Sequence, residues 1–315
     1  MVENRSQARR THDQAVASFL FLSEQAQLRD MRAWNHLFSD MKKDGIEEVI
    51  IEWLQYDGAP SDYIFILGKI LRASHKYDIR VIIGLSASKG WWGDERQSDR
   101  YLDDEVQKTL RVAERVYRLI NGHPSFEGWY IPYEMEALPI EAKAKDRIIR
   151  FYRKISSFLK RLTPEKVIAI SGYKQRVVPR EFDAVNWWHD LLTSSGINRF
   201  YYQDGYGVRR DSPLETSNRL LNNLAKGQSS REFELWVVIE TFEEVIRPIG
   251  DDHNFIGIST STSRLCQQVR QAKSLGLAVA LYTYDEFMFK AESIKARRLR
   301  DGWRQSNRCG QILPQ

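Results

Sequence analysis

The sequence predicts a single-domain (β/α)8 TIM barrel, and three observations carry the prediction. Eight short β-branched or aromatic runs recur along 315 residues, segments of helical periodicity separate them, and the helix-to-strand turns are short. Continuous apolar strands alternating with helices mean a parallel sheet covered on both faces. Eight such units close naturally into a barrel. A doubly wound open sheet would want a Gly-rich phosphate turn after an early strand, and none of the early loops matches that fingerprint.

The candidate strands, in order, are Val16–Leu22, Glu48–Leu54, Arg80–Leu85, Gly128–Tyr133, Val167–Ser171, Asn198–Gln203, Glu234–Ile239 and Ala278–Thr283. Between them, Leu28–Asp44 aligns Met31, Trp34, Leu37, Phe38 and Met41 on one helical face, and Glu105–Asn121 does the same with Leu110, Ala113, Val116, Tyr117 and Ile120. Ile140–Leu162 and Ser263–Leu275 follow the same pattern. Pro60-Ser61 opens one helix and Thr163-Pro164 closes another, while Gly45, Gly122, Gly196 and Gly276 stand where a helix ends and a left-handed residue is needed. The expected organisation is a flexible polar segment over 1–14, a barrel over 15–304 and a tail over 305–315. Cys266 falls in a helical pattern and Cys309 in the polar tail, so both read as free or incidental.

Hydrophobic residues at 42% and the lack of low-complexity tracts allow a large core. The net charge of +5 is small and the two signs are interspersed, which argues against nucleic acid as a partner. No run of eighteen apolar residues occurs, so no membrane span is expected. Val16–Leu22 is short and reads as a strand, not a signal peptide. The chain as written would be cytoplasmic, and periplasmic or secreted if a signal had been removed; compartment and oligomeric state stay open. His12, His36, His75, His123, His189 and His253 are scattered without ligand spacing, so neither a catalytic metal nor a cofactor is expected. No Gly-x-Ser-x-Gly elbow and no P-loop occurs.

In such a barrel the loops that follow the strands form the chemical face. Here they carry carboxylates, amides and aromatics together: Gln55 after Trp53, then Trp91-Trp92, Glu134 and Glu136, Tyr173, Gln203-Asp204 with Tyr206, Glu240, and Tyr284-Asp285. Sugar hydroxyls want amide and carboxylate partners and a sugar ring face wants an aromatic plane, so the expected partner is a carbohydrate. Glu134 ends the fourth strand and Glu240 the seventh, which places them across the mouth from each other. One could protonate a glycosidic oxygen while the other attacks the anomeric carbon. Retention needs the two carboxyls about 5 Å apart, inversion roughly 6.5–9.5 Å.

The run Gly45 to Trp53, the pair Ile83-Gly84-Leu85 and Trp91-Trp92, the run Phe126 to Glu134 and the run Ile239 to Glu243 resemble a bacterial family, domain of unknown function 4434. Gly128-Trp129-Tyr130-Ile131-Pro132 followed by Glu134 is the most specific element. The resemblance covers the first strand to the eighth. It implies a TIM barrel like those of glycoside hydrolases, an association with exopolysaccharide or cell-envelope glycans, and Glu134 as acid/base with Glu240 as nucleophile. The wider retaining group carries Asn before its fourth-strand Glu, where this chain has Tyr133.

Each residue also has a plainer reading. Glu134 could be a structural acid under the rim, and Glu240 could belong to a solvated turn with Glu243 and Glu244. Glu136 binds substrate or caps a helix, and Glu52 is either a cleft residue or half of a buried ion pair. Gln203 and Asp204 line the cleft or form a turn with Gly205. Asp285 holds substrate or pairs with Lys290, and Trp91-Trp92 is a sugar platform or a hydrophobic plug. Lys295 to Arg300 reads as a solvated helix face. The expected function is a retaining glycoside hydrolase acting on a polysaccharide or oligosaccharide, the alternative a catalytically silent carbohydrate-binding barrel.

Overall fold

The computed structural model describes residues 16–57, 63–120, 122–137, 142–174, 183–208, 214–227, 233–245, 256–290 and 293–310. The 1–14 segment, Gly58, Pro60-Ser61, His12, His253 and the end of the tail lie outside the described residues. Eight parallel strands close a barrel in chain order: β1 Val16–Leu20, β2 Glu48–Ile51, β3 Arg80–Gly84, β4 Phe126–Glu136, β5 Val167–Tyr173, β6 Arg199–Gln203, β7 Glu234–Glu240 and β8 Ala278–Tyr282. The ring shuts where β8 pairs with β1, Val16 opposite Val279 and Ser18 opposite Leu281. Among the described residues the outer layer is α1 Met31–Lys43, α2 Leu67–Lys76, α3 Asp99–Ile120, α4 Ala142–Leu162, α5 Ala184–Ser195, α6 Leu214–Gly227, α7 Thr262–Ser274 and α8 Ile294–Gln305.

The strands sort their side chains by parity. Odd or even alternates send Val49, Ile51, Ile83, Trp129, Ile131, Ile168, Ile170, Phe200, Val237 and Val279 outward into the layer under the helices. The other set, including Phe19, Ile50, Ile82, Tyr130, Tyr201, Trp236 and Val238, fills the barrel interior. This double burial is why the strands read as unbroken apolar runs. Helix ends follow their sequence marks. Asp30 accepts from the Ala33 amide at 2.8 Å to open α1, Asp183 from the Asn186 amide at 3.0 Å to open α5, and α5 ends on Gly196 at φ 72°.

Below the interior layer lies a charged floor. Arg199 donates to Glu48 Oε1 and Glu234 Oε2, each at 2.7 Å, and stacks over Trp236 with its guanidinium carbon 4.7 Å from the ring centre. Arg80 reaches Glu48 Oε2 at 3.4 Å from the rim. At β3, Gly84 has no room for a side chain: a Cβ there would lie 2.2 Å from the Ile51 and Glu52 carbonyl oxygens.

One expectation is overturned. Cys266 and Cys309 are not free; they form a disulfide, with Cα atoms 4.9 Å apart and 43 residues between them. The turn after α8, residues 306–310, folds back on α7, carrying Cys309 to a site that is wholly buried. Sequence spacing could not reveal this, because the contact is made by a turn after α8 that carries no apolar period. The basic stretch in α8 behaves as expected: Lys295, Arg297 and Arg298 are exposed, while Arg300 pairs with Asp40 at 3.4 Å.

Candidate active site

Continuing the inward parity to the ends of the strands, and one residue past β2, brings Glu52, Glu134, Gln203, Glu240 and Tyr282 to one place. They line a cavity of about 270 Å³ together with Trp53, Trp92, Tyr130, Pro132, Val238 and Phe242. Glu134 arrives there through an irregularity in β4. Pro132 has no amide for the ladder, and the β4–β5 register shifts between Ile131 and Met135. The strand resumes at Met135 opposite Gly172 with Glu134 turned into the cavity.

Glu134 Oε1 accepts from Gln203 Nε2 at 2.5 Å. The same amide nitrogen lies 3.2 Å from Ser171 Oγ, which shares a 2.7 Å hydrogen bond with the Tyr130 hydroxyl. Burial pushes the Glu134 pKa up; hydrogen bonds from Gln203, Ser171 and Trp92 pull it back, and the charge of Glu136 adds to the rise. Glu240 is held from the opposite wall. Its Oε2 accepts the amides of Gly207 at 2.5 Å and Val208 at 3.2 Å. Only glycine fits at 207, since a Cβ there would stand 2.5 Å from the Phe242 carbonyl oxygen and 2.9 Å from Glu240 Oε2. Burial raises the Glu240 pKa, the neighbouring Asp204 charge raises it further, and the two amides and Arg264 oppose both. Arg264 braces the turn after β7 by donating to the carbonyls of Glu240 at 2.6 Å and Phe242 at 2.5 Å.

Glu52 is the third carboxyl. Its Oε1 accepts the Tyr282 hydroxyl at 3.1 Å, while its Oε2 is buried and meets no donor. Burial pushes this pKa well up, and the charge of Glu134 adds to the rise. Its position two residues beyond Ile50 on the inward face is the signal that singles it out. Of the two readings offered for Glu52, cleft residue or buried ion pair, the structure gives the cleft. Tyr282, Phe242, Tyr130, Pro132 and Val238 were missed, being apolar or aromatic residues that the sequence cannot distinguish from core.

Of the residues read as site candidates, Trp53, Trp92, Glu134, Gln203 and Glu240 share this lining. The others stand elsewhere. Tyr133 points outward, donating its hydroxyl to Glu105 Oε2 at 2.7 Å, because it sits one position from Glu134 and parity sends neighbours to opposite faces. Trp91 is fully buried against Tyr133, Phe151 and Tyr152 and donates to the Glu134 carbonyl at 2.8 Å, so it is a plug, while its neighbour Trp92 is 41% exposed. Glu136 is held by the Tyr173 hydroxyl at 2.6 Å and by Arg96 at 3.3 Å. Gln55 belongs to a small parallel ribbon, Gln55–Tyr56 with Ser86–Ala87. Asp204 accepts the Tyr206 amide at 3.2 Å and the Gln268 side-chain amide, and the Tyr206 ring lies under Arg264 at 5.9 Å. Tyr284 turns outward to donate to Asp44 Oδ2 at 2.5 Å, and Asp285 pairs with Arg29 at 3.3 Å instead of Lys290.

The fold is a (β/α)8 TIM barrel with carboxyls and aromatic rings gathered at one mouth. By sequence the chain belongs to the family described as Domain of unknown function (DUF4434), which it matches over residues 20–295. It is also similar to the uncharacterized protein YbcH of Escherichia coli strain K12, 22% identical over 201 residues that span 62% of this chain and 66% of that protein. Among solved structures, a candidate alpha-L-fucosidase from Bacteroides thetaiotaomicron VPI-5482 matches with a TM-score of 0.71 at 18% identity, covering 92% of each chain. The beta-mannanase of the blue mussel Mytilus edulis gives 0.52 at 13% identity over 95% of this chain and 94% of its own. An intracellular xylanase of Thermoanaerobacterium saccharolyticum JW/SL-YS485 gives 0.51 at 12% identity over 89% of each. At these identities the likeness is one of fold.

Proposed function

We propose that this protein is a retaining glycoside hydrolase acting on a polysaccharide or oligosaccharide. The observation that carries the reading is that Glu134 and Glu240, from the ends of β4 and β7, face the same aromatic-walled cavity. In this mechanism Glu240 attacks the anomeric carbon as Glu134 gives its proton to the departing glycosidic oxygen. Water then takes the place of the leaving group, Glu134 removes its proton, and the bond from sugar to Glu240 breaks. Burial raises the Glu134 pKa, the direction a general acid needs. The nucleophile must be ionised. Burial and the Asp204 charge push the Glu240 pKa up to about 8, and the fixed amides of Gly207 and Val208 are the donors that oppose this and favour the ionised form. Trp53 and Trp92 offer ring faces for sugar stacking.

Reducing-end release from a glycan panel tests the reading. Wild type should turn over at least one glycan, and Glu134→Gln should lose about 10²–10⁴-fold in rate. Glu240→Gln should abolish retention of configuration, followed by NMR of the product anomer. Glycan binding by all three proteins with no turnover by wild type would instead assign a silent carbohydrate-binding barrel.

A further inference from the structure

The charge of the cavity restricts the sugar it can take. Among the described residues its lining carries three carboxyls, Glu52, Glu134 and Glu240, and no Lys, Arg or His. Among the described residues three arginines are engaged outside that lining: Arg264 on backbone carbonyls, Arg29 on Asp285 and Arg96 on Glu136. In a chain whose net charge is +5, this is a local reversal of sign. A uronate, sulfated or phosphorylated sugar would bring an anion to three acids without a counter-ion.

Two of the acids have donors suited to their proposed chemistry, and the third does not. Glu52 is 9% exposed, its Oε1 takes the Tyr282 hydroxyl, and its Oε2 has no partner among the described residues. A buried carboxyl oxygen left without a donor asks for one from a ligand. The rings of Trp53, Trp92, Phe242 and Tyr282 line the same space, and ring faces attract a cation as they attract a sugar plane. Carboxyl plus aromatic wall is the chemistry of an ammonium site.

We propose that the cavity recognises an amino sugar, a glycan residue with a free amine, and that Glu52 pairs with its ammonium. The ammonium supplies the donor that Oε2 lacks and offsets the repulsion among the three carboxyls. N-acetylation removes that charge and would crowd the same oxygen with an acyl group. This inference takes the carbohydrate partner from the reading above but does not require turnover.

Calorimetric titration with β-1,4- and β-1,6-linked glucosamine tetramers, their fully N-acetylated counterparts and tetragalacturonate tests it. The free-amine tetramer of one linkage should bind about tenfold or more tightly than its acetylated form, and tetragalacturonate should not bind. Glu52→Gln, with its melting temperature recorded, should bring the free-amine to acetyl ratio toward one. Where that variant does not fold, the wild-type ratio decides alone. Equal or tighter binding of the acetylated or anionic tetramers overturns the proposal, as does the absence of binding by either free-amine tetramer. Turnover of neutral glycans without a free-amine preference overturns it and leaves the hydrolase standing. Tight free-amine binding with no turnover does the reverse.

Discussion

Glu240 and Asp204 share one burial and repel each other's charge, so the ionisation of one sets that of the other. Asp204→Asn removes an anion that pushes the Glu240 pKa up. Glu240 then stays ionised to lower pH, and the acidic limb of the kcat/KM profile for a turned-over glycan should move to lower pH; a limb that stays in place or rises would refute the coupling. Glu134 makes a second prediction through stability. Its folded pKa lies above its unfolded one, so the stability it contributes is complete below the unfolded pKa and is lost as pH rises through the folded value. Glu134→Gln lacks that loss and should melt about 1–3 °C higher than wild type at neutral pH. Near pH 4 the difference should vanish, as scanning calorimetry at both pH values would record.

At the scale of elements, the disulfide ties α7 to the turn after α8 across 43 residues. Replacing both Cys266 and Cys309 by Ala should lower stability by about 2–4 kcal/mol, measured by urea unfolding against the oxidised wild type. Strand parity explains what was legible in the sequence and what was not. The eight apolar runs and the glycines Gly45, Gly122, Gly196 and Gly276 marked the elements well, because double burial and left-handed caps leave composition behind; all four glycines have positive φ. Glu134, Glu240, Gln203, Trp53 and Trp92 stood out because polar or broad residues at strand ends contrast with the core. Tyr133 was read onto the wrong face, since a strand end looks the same from sequence on either side. Trp91 and Tyr284 stand in short helical turns, Lys89–Trp92 and Tyr284–Phe287, whose packing the sequence leaves open, and for Trp91 the plug is the reading that holds. Asp204, Glu136 and Asp285 sit at the right ends of strands, yet their partners come from Gln268, Tyr173, Arg96 and Arg29, distant in sequence. Only tertiary contact reveals such partners.

At the scale of the molecule, the barrel is closed at one end by charge and open at the other. Arg199 holds Glu48 and Glu234 in the floor, at 3% and 0% side-chain exposure for the Arg199–Glu48 pair. Arg199→Met would leave Glu48 with Tyr201 and the half-exposed Arg80. The loss should be about 3–5 kcal/mol in denaturant unfolding, because a buried charge deprived of its partner keeps its desolvation cost. Glucosamine-tetramer affinity at the mouth, measured well below the new melting point, should be unchanged, because the interior layer of Tyr130, Tyr201 and Trp236 separates floor from cavity.

The seam between β1 and β8 gives the molecule a timetable. β8 is partner to both β1 and β7, so a growing chain carries two unpaired sheet edges until β8 has been made. The cavity keeps the same schedule: Tyr282, the hydroxyl that holds Glu52, arrives with that strand. Cys309 emerges later still, after the ring can shut. A nascent chain therefore lacks both the Tyr282 partner of Glu52 and the crosslink until β8 and the turn after α8 have been made.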